Sequence, residues 1–258
     1  MKKNILLIID PQNDFVNKGG SLYIRNSEIA IKNLENFIIE NLKTIDEIII
    51  TQDTHLSYHI GHSVFWKEKP KPGTIITYED VLDGVFNPIV PISEVGESYL
   101  DIILDYFLGL KEKGLKHTIW PEHCILGSSG WCFPDSLVKV LNKWSIDNNG
   151  KYYKVEEKGI FPCKEMYSAL SYADGSGNSE EFHDYLVNEF KDSEKIFISG
   201  FAKDYCVAKT VEDILKFDKN IIEEKLMFLE NCMTEIDGNN KNLEIYDKAI
   251  ENYGAQSI

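Results

Sequence analysis

The sequence has no apolar run near the length of a membrane span, and no repeats or low-complexity tracts. Several common catalytic fingerprints are also missing: no G-x-S-x-G elbow, no Walker phosphate loop, no G-x-G-x-x-G and no H-E-x-x-H. Cysteine is sparse. The five thiols, Cys124, Cys132, Cys163, Cys206 and Cys232, are odd in number and have no C-x-x-C spacing. That excludes a simple disulfide framework and suits free thiols in a reducing compartment. Basic residues are the scarcer charge, 27 Lys and Arg against 42 Asp and Glu, for a formal net charge of −15. Such a surface repels phosphate backbones and anionic lipid, so neither nucleic acid nor a membrane is an expected partner. The opening Met1-Lys2-Lys3-Asn4 followed by Ile5–Ile9 mimics a secretory leader. Its apolar stretch stops at Asp10, too short for one, and no cleavage-type site follows. A cytoplasmic location is expected.

What is present is enough for a full core: 258 residues, 43% of them hydrophobic. Short aliphatic runs at Ile5–Ile9, Glu47–Thr51, Tyr152–Val155, Ile196–Gly200 and Leu226–Leu229 do not alternate, as expected of parallel strands covered on both faces. Amphipathic stripes fall between them. One is Ile31, Leu34, Ile38 and Leu42 behind Ser27 as cap. Others are Leu137, Leu141 and Trp144 from Pro134, Phe182, Leu186 and Phe190 after Ser179, Val207, Val211 and Ile214 after Asp204, and Leu243, Tyr246 and Ile250. This alternation predicts an α/β fold, a three-layer α/β/α arrangement around a mainly parallel sheet, as one domain over residues 1–258. A segment at about 67–117 breaks the rhythm with Lys69-Pro70-Lys71-Pro72-Gly73, Asn87-Pro88 and Val90-Pro91. A helix follows, carrying Tyr99, Ile103, Tyr106 and Leu110. It has too few apolar residues to suggest a core of its own, so it is expected to be an insertion packed on the rim.

In a parallel sheet, chemistry collects at the carboxyl ends of strands. The first run ends in Ile9-Asp10-Pro11-Gln12-Asn13-Asp14-Phe15. A half-buried carboxylate directly after aliphatics has a raised pKa and can act as a base; a turn-forming Asp fits the same place. The second ends in Thr51-Gln52-Asp53-Thr54-His55, where two extended residues on one side can share a metal. The most specific cue is Ile196-Phe197-Ile198-Ser199-Gly200-Phe201-Ala202-Lys203-Asp204-Tyr205-Cys206. It places a thiol just past a strand and a tight Gly turn, two residues beyond Asp204 as the expected cap. A helix N-terminus there favours the thiolate. The other four cysteines are expected to be buried and structural.

Together, LLIIDPQNDF, TQDTH, IWPEHCILGSSGW, EKG at Glu157–Gly159 and SGFAKDYCVAKT make the chain resemble the isochorismatase-like cysteine hydrolases, and among them the nicotinamidases. The resemblance covers the chain except the insertion. It implies a catalytic triad of Asp10, Lys158 and Cys206, and one divalent metal, zinc before iron or manganese, on Asp53, His55 and His123. It also implies a non-proline cis peptide at Phe201–Ala202, an oxyanion hole from the Ala202 and Cys206 amides, and substrate-binding aromatics at Phe15 and Trp120. His59 and His62 follow the Asp53/His55 pair, and His62 is the candidate further ligand. Gly127-Ser128 replaces the usual Gly-Thr and keeps the hydroxyl. The implied activity is a metal-dependent amidohydrolase acting on nicotinamide through a thioester. Another small amide or a ureido compound remains open as substrate. So do a metal-hydroxide hydrolase with Cys206 as spectator, and a non-catalytic ligand-binding protein. The expected partner is a small-molecule amide, and the relatives form homo-oligomers.

Overall fold

The structure is a computed structural model that describes residues 2–90, 97–177, 180–238 and 240–258. Its strands, in chain order, are β1 (Lys3–Ile9), β2 (Glu47–Asp53), β3 (Ile75–Ile76), β4 (His117–Thr118), β5 (Lys154–Lys158), β6 (Ser193–Phe201), β7 (Leu226–Thr234) and β8 (Gln256–Ser257). The helices are α1 (Asn13–Val16), α2 (Ser27–Glu40), α3 (Tyr78–Leu82), α4 (Glu97–Glu112), α5 (Asp135–Asp147), α6 (Glu180–Lys191), α7 (Ala208–Ile214), α8 (Lys219–Ile222) and α9 (Asn240–Tyr253).

The aliphatic runs pair into one six-stranded parallel sheet of order β5-β2-β1-β6-β7-β8, while β3 and β4 form a small antiparallel pair. Alternate residues of β1 feed opposite layers, as the two-residue period of a strand demands. Leu6 and Ile8 pack with Ile31, Leu34 and Ile38 of α2 and Leu137, Leu141 and Trp144 of α5. Ile5, Leu7 and Ile9 pack with Phe182, Leu186 and Phe190 of α6 and Val211 and Ile214 of α7. The expected three-layer α/β/α architecture is therefore present. No helix among the described residues is long and apolar enough to cross a membrane.

Five local expectations change, the first at Cys132, which is exposed where burial was expected. The run at Tyr152–Val155 becomes β5 two residues later, because its register is set by pairing with β2, Ile49 against Lys154 through Asp53 against Lys158. Tyr152 is 91% exposed, and the edge strand exposes alternate residues rather than burying all of them. Ser27 is the first helical residue, not the cap. Its hydroxyl donates to the carbonyls of Phe15 and Ile24, which ties α2 to the loop after β1. Pro134 stands at the cap of α5, one residue before its first turn. Finally, the segment at 67–117 does have an apolar cluster: Ile76, Val81, Ile103, Tyr106, Phe107 and Leu110 close over Phe65, Trp66 and Cys163 from outside it. Too few apolar residues for a private core proved compatible with a shared one. Ser179 and Pro91 lie outside the described residues.

Gly200 pairs with Ile9 of β1 at φ +137°, and a Cβ there would run into the Ile9 backbone. Gly200→Ala should lower the unfolding free energy by more than about 1 kcal/mol. Gly19→Ala, with open space around it, should stay within about 0.5 kcal/mol. Urea unfolding of the two variants gives the comparison, and equal midpoints would refute it.

Candidate active site

Parallel pairing of β2 with β5 sets Asp53 beside Lys158, and pairing of β1 with β6 sets Ile9 beside Gly200. The carboxyl ends of these four strands thereby bring together residues 10, 53, 158 and 206. The strand order reverses direction about β1, where open α/β sheets form their crevice.

Lys158 is the centre of the cluster and is 1% exposed. Its Nζ lies 3.0 Å from Asp10 Oδ2, donates to Asp53 Oδ1 at 2.8 Å and the Met166 carbonyl at 2.9 Å, and stands 3.7 Å from Cys206 Sγ. Burial alone would lower its pKa, but the Asp10 and Asp53 carboxylates outweigh this and hold it well above the usual lysine value, so it is charged. Asp10 is fully buried, where half-burial had been expected. The Thr51 hydroxyl donates to it at 2.6 Å. Desolvation raises its pKa against the pull of Lys158, with repulsion from Asp53 adding to the rise. Burial also pushes the Cys206 thiol well above its ordinary value; Lys158 opposes this while the Asp10 and Asp53 charges reinforce it. The resting site therefore holds a protonated thiol next to a carboxylate of raised basicity.

The route of the chain into Cys206 differs from expectation. After β6 comes the cis peptide Phe201–Ala202, then one wide turn of π-helix over Lys203–Val207 that leads into α7. Ala202, not Asp204, stands at its start. The Asp204 carboxylate instead accepts the amides of Ile236, Asp237 and Gly238 and fixes the segment after β7.

Beside this cluster Asp53, His55 and His123 form a buried group of potential metal ligands. Asp53 Oδ2 lies 3.0 Å from His55 Nε2 and 3.4 Å from His123 Nε2. Each ring is set from behind: His55 Nδ1 donates to the Gly159 carbonyl at 3.2 Å and His123 Nδ1 to the Pro121 carbonyl at 2.8 Å. A carbonyl only accepts, so each Nδ1 donates and each Nε2 is turned toward Asp53, the orientation a metal requires. Burial would raise the Asp53 pKa, but His55 and Lys158 hold it well below the carboxylate range, so the third ligand is anionic. These residues fit a divalent cation. His62 repeats the pattern: Nδ1 donates to the Ser57 carbonyl at 3.2 Å, and Nε2 is buried without a partner. Burial first, then His123 and His55, lower its pKa to about 3, so it is neutral. Its ring lies 5.5 Å from that of His123. His59 packs 4.2 Å from the His55 ring and forms a second close group with His55 and Glu165.

Phe15 and Trp120 line the adjoining cavity together with Ala202 and Cys206. Sequence reasoning missed Tyr167, Tyr205 and Glu165 on the same walls. Tyr167 accepts from Trp120 Nε1 at 3.1 Å, and Tyr205 meets the Trp120 ring edge-on at 5.3 Å. Tyr205 stands inside the quoted SGFAKDYCVAKT, next to Cys206, so adjacency was its signal; Tyr167 lies eight residues past the quoted EKG and carried none. Two buried struts were missed as well. Gln12 grips Asp53 by both backbone groups, accepting its N–H at 2.7 Å and donating to its carbonyl at 2.6 Å. Asp14 accepts the amides of Cys124 at 2.7 Å and Ser21 at 2.9 Å, locking the turn that carries His123.

No family model matches the chain. It is 28% identical to the nicotinamidase of Schizosaccharomyces pombe over 208 residues, 80% of this chain and 73% of that protein. It is 26% identical to the Escherichia coli nicotinamidase over 227 residues, 87% and 83% of the two chains. Among solved structures, the yeast nicotinamidase bound to the inhibitor nicotinaldehyde matches at a TM-score of 0.68 with 19% identity, covering 99% of each chain. A nicotinamidase/pyrazinamidase from Acinetobacter baumannii matches at 0.67 with 21% identity, covering 100% of this chain and 96% of that one. The Pyrococcus horikoshii pyrazinamidase in complex with zinc matches at 0.57 with 17% identity, covering 99% and 98%. At these identities the structures establish the fold.

The buried struts predict a measurable coupling. Asp14→Asn removes the charge that accepts the Cys124 amide, so the Asp53–His55–His123 group should lose about 10–100-fold in affinity for a divalent cation. Chelator competition reads this, with circular dichroism checking the fold. Unchanged affinity would show that the turn holds without Asp14.

Proposed function

We infer that this chain, which belongs to the isochorismatase-like cysteine hydrolases of the nicotinamidase type, hydrolyses nicotinamide to nicotinate and ammonia with Cys206 as nucleophile. The observation that carries the reading is the buried Lys158 ammonium in contact with Asp10, Asp53 and the Cys206 sulfur at once. The kinship with curated nicotinamidases supplies the substrate.

The chemistry follows from the resting protonation states. Asp10, made more basic by burial, takes the thiol proton as Sγ attacks the amide carbonyl, and Lys158 keeps its charge beside the two groups. The carbonyl oxygen becomes an oxyanion held by the Ala202 and Cys206 amides. Asp10 then gives its proton to the departing nitrogen, so ammonia leaves and a thioester remains on Cys206. Water adds to the thioester carbonyl, Asp10 accepts its proton, and collapse returns the proton to sulfur and releases the acid. Phe15 and Trp120 would clasp the ring. The pocket between these walls is narrow, with a volume of about 20 Å³.

Asp53, His55 and His123 would hold one divalent ion, zinc by donor type with iron or manganese as alternatives, which supplies a polarising charge and an open position for a ring nitrogen or water. His62 is the further ligand in this reading, because its Nε2 is bare and buried next to the group. The whole chain is one such domain, with about 67–117 as the rim insertion.

Cys206→Ala should reduce nicotinamide turnover below about one part in a thousand while metal content and fold stay normal. Ammonia release assays with elemental analysis check this, and activity retained would move the chemistry to the metal. Lys158→Met separates the triad from a merely structural lysine. Without the ammonium the Asp10 pKa rises further, so a higher pH is needed to ionise the base. The acidic limb of the pH–rate profile should shift upward and kcat fall steeply, and Lys158→Arg should not restore it, since a planar fork cannot replace a compact ammonium between close groups. A near-normal kcat with an unmoved profile in Lys158→Met would rule out the assignment.

A further inference from the structure

We propose that the protein has a second small-molecule site, for a phosphate-bearing ligand of nucleotide size, in a lysine-lined cavity behind the Tyr167–Tyr205 wall. Both tyrosines line the Cys206 pocket and also this separate cavity. Its free volume is about 730 Å³, within the range of sites that enclose cofactor-sized molecules. The Cys206 pocket, at about 20 Å³, is far smaller.

The charge in the cavity runs against the rest of the chain. Acidic residues outnumber basic ones 42 to 27 overall, yet the cavity is lined by Lys113, Lys116, Lys209, Lys216 and Lys241 against Glu212 and Asp213 alone. The two acids are already engaged: Glu212 pairs with Lys209 at 2.9 Å, and Asp213 takes the Ser168 and Ser171 hydroxyls and pairs with Lys216. Lys113, Lys116 and Lys241 have no ion pair among the described residues. They come from two parts of the chain, the end of α4 with its following turn and the first turn of α9, and converge on one concavity. Gly175 leaves room for the Lys113 ammonium, which occupies the space a Cβ there would fill.

Three exposed, unpaired ammonium groups around one open concavity repel one another, and a multiply charged anion removes that repulsion. Ammonium ions bind phosphate as compact point charges. Thr118, also on the wall, adds a hydroxyl donor. A single carboxylate product would leave most of the volume and charge unmatched. The proposal does not rest on the amidase reading, because binding itself is the readout.

The test is calorimetric titration of the intact metal-loaded protein with ADP, and in parallel with inorganic phosphate, at two salt concentrations. ADP should bind one to one, more tightly at low salt and at least tenfold more tightly than inorganic phosphate. Lys113→Glu/Lys116→Glu and Lys241→Glu should each weaken it at least tenfold while amide turnover stays at the wild-type level. Lys139→Glu, exposed on α5 across the sheet, controls for general attraction and should leave ADP binding unchanged. No ADP binding at millimolar concentration overturns the proposal. So does equal weakening by Lys139→Glu, or phosphate binding as tight as ADP.

Discussion

A lysine ammonium enclosed by two carboxylates and a thiol is the interaction on which the rest of this site depends. Lys158 is nearly inaccessible to water, and so are Asp10 and Asp53. Taking one such ion out of water costs several kcal/mol, and the cost is offset only if its partners are charged, close and held in place. Removing one partner from a buried set of this kind typically costs about 3–5 kcal/mol. The ammonium also lets an anionic Asp53 face the histidines while Asp10 retains a raised proton affinity. One charge thus serves both halves of the site, the Asp10–Cys206 pair and the Asp53–His55–His123 group.

Holding that charge in place requires a rigid backbone, and the parallel sheet supplies it. Lys158 and Asp53 are cross-strand neighbours, so their contact is part of the strand register. Gln12 extends the same lattice past the end of β1 by pairing with both backbone groups of Asp53. Asp14 continues it into the His123 turn. A segment rich in loops is thereby fixed by buried side chains that mimic ladder hydrogen bonds. The apolar cluster shared between the 67–117 segment and Phe65, Trp66 and Cys163 braces the same region from outside.

The histidines show how geometry sorts residues that look alike in sequence. His55, His62 and His123 each give Nδ1–H to a backbone carbonyl, which turns Nε2 of His55 and His123 to Asp53 and leaves Nε2 of His62 without a partner. His59 does the reverse, accepting the Gly61 amide at Nδ1. His117 is also buried, yet it is occupied by the Tyr106 hydroxyl and the Ile60 carbonyl in the third core cluster. Only the placement of the carbonyls distinguishes these roles, and carbonyls carry no sequence signal.

The layers were legible in the chain because burial on both faces of a sheet demands uninterrupted aliphatic runs, and the helices between them show their buried stripe at helical spacing. The residues of the site were legible through their positions after those runs: Asp10, the Asp53/His55 pair, and Cys206 past its glycine turn. Where one face is open, as at edge strand β5, the apolar signal fades, and the strand starts two residues later than its composition suggests. The Asp204 carboxylate has the composition of a helix cap, but the segment after β7 competes for it and wins with three amides. The amino-acid sequence by itself determined the layer order of hydrophobicity and the chemical types at the strand ends, since those depend on local pattern alone. Tertiary structure decided which of those groups touch, which histidine nitrogens are free, and where cationic side chains from the turn after α4 and from α9 line one concavity. Those outcomes depend on strand register and on buried hydrogen bonds between segments far apart in the chain.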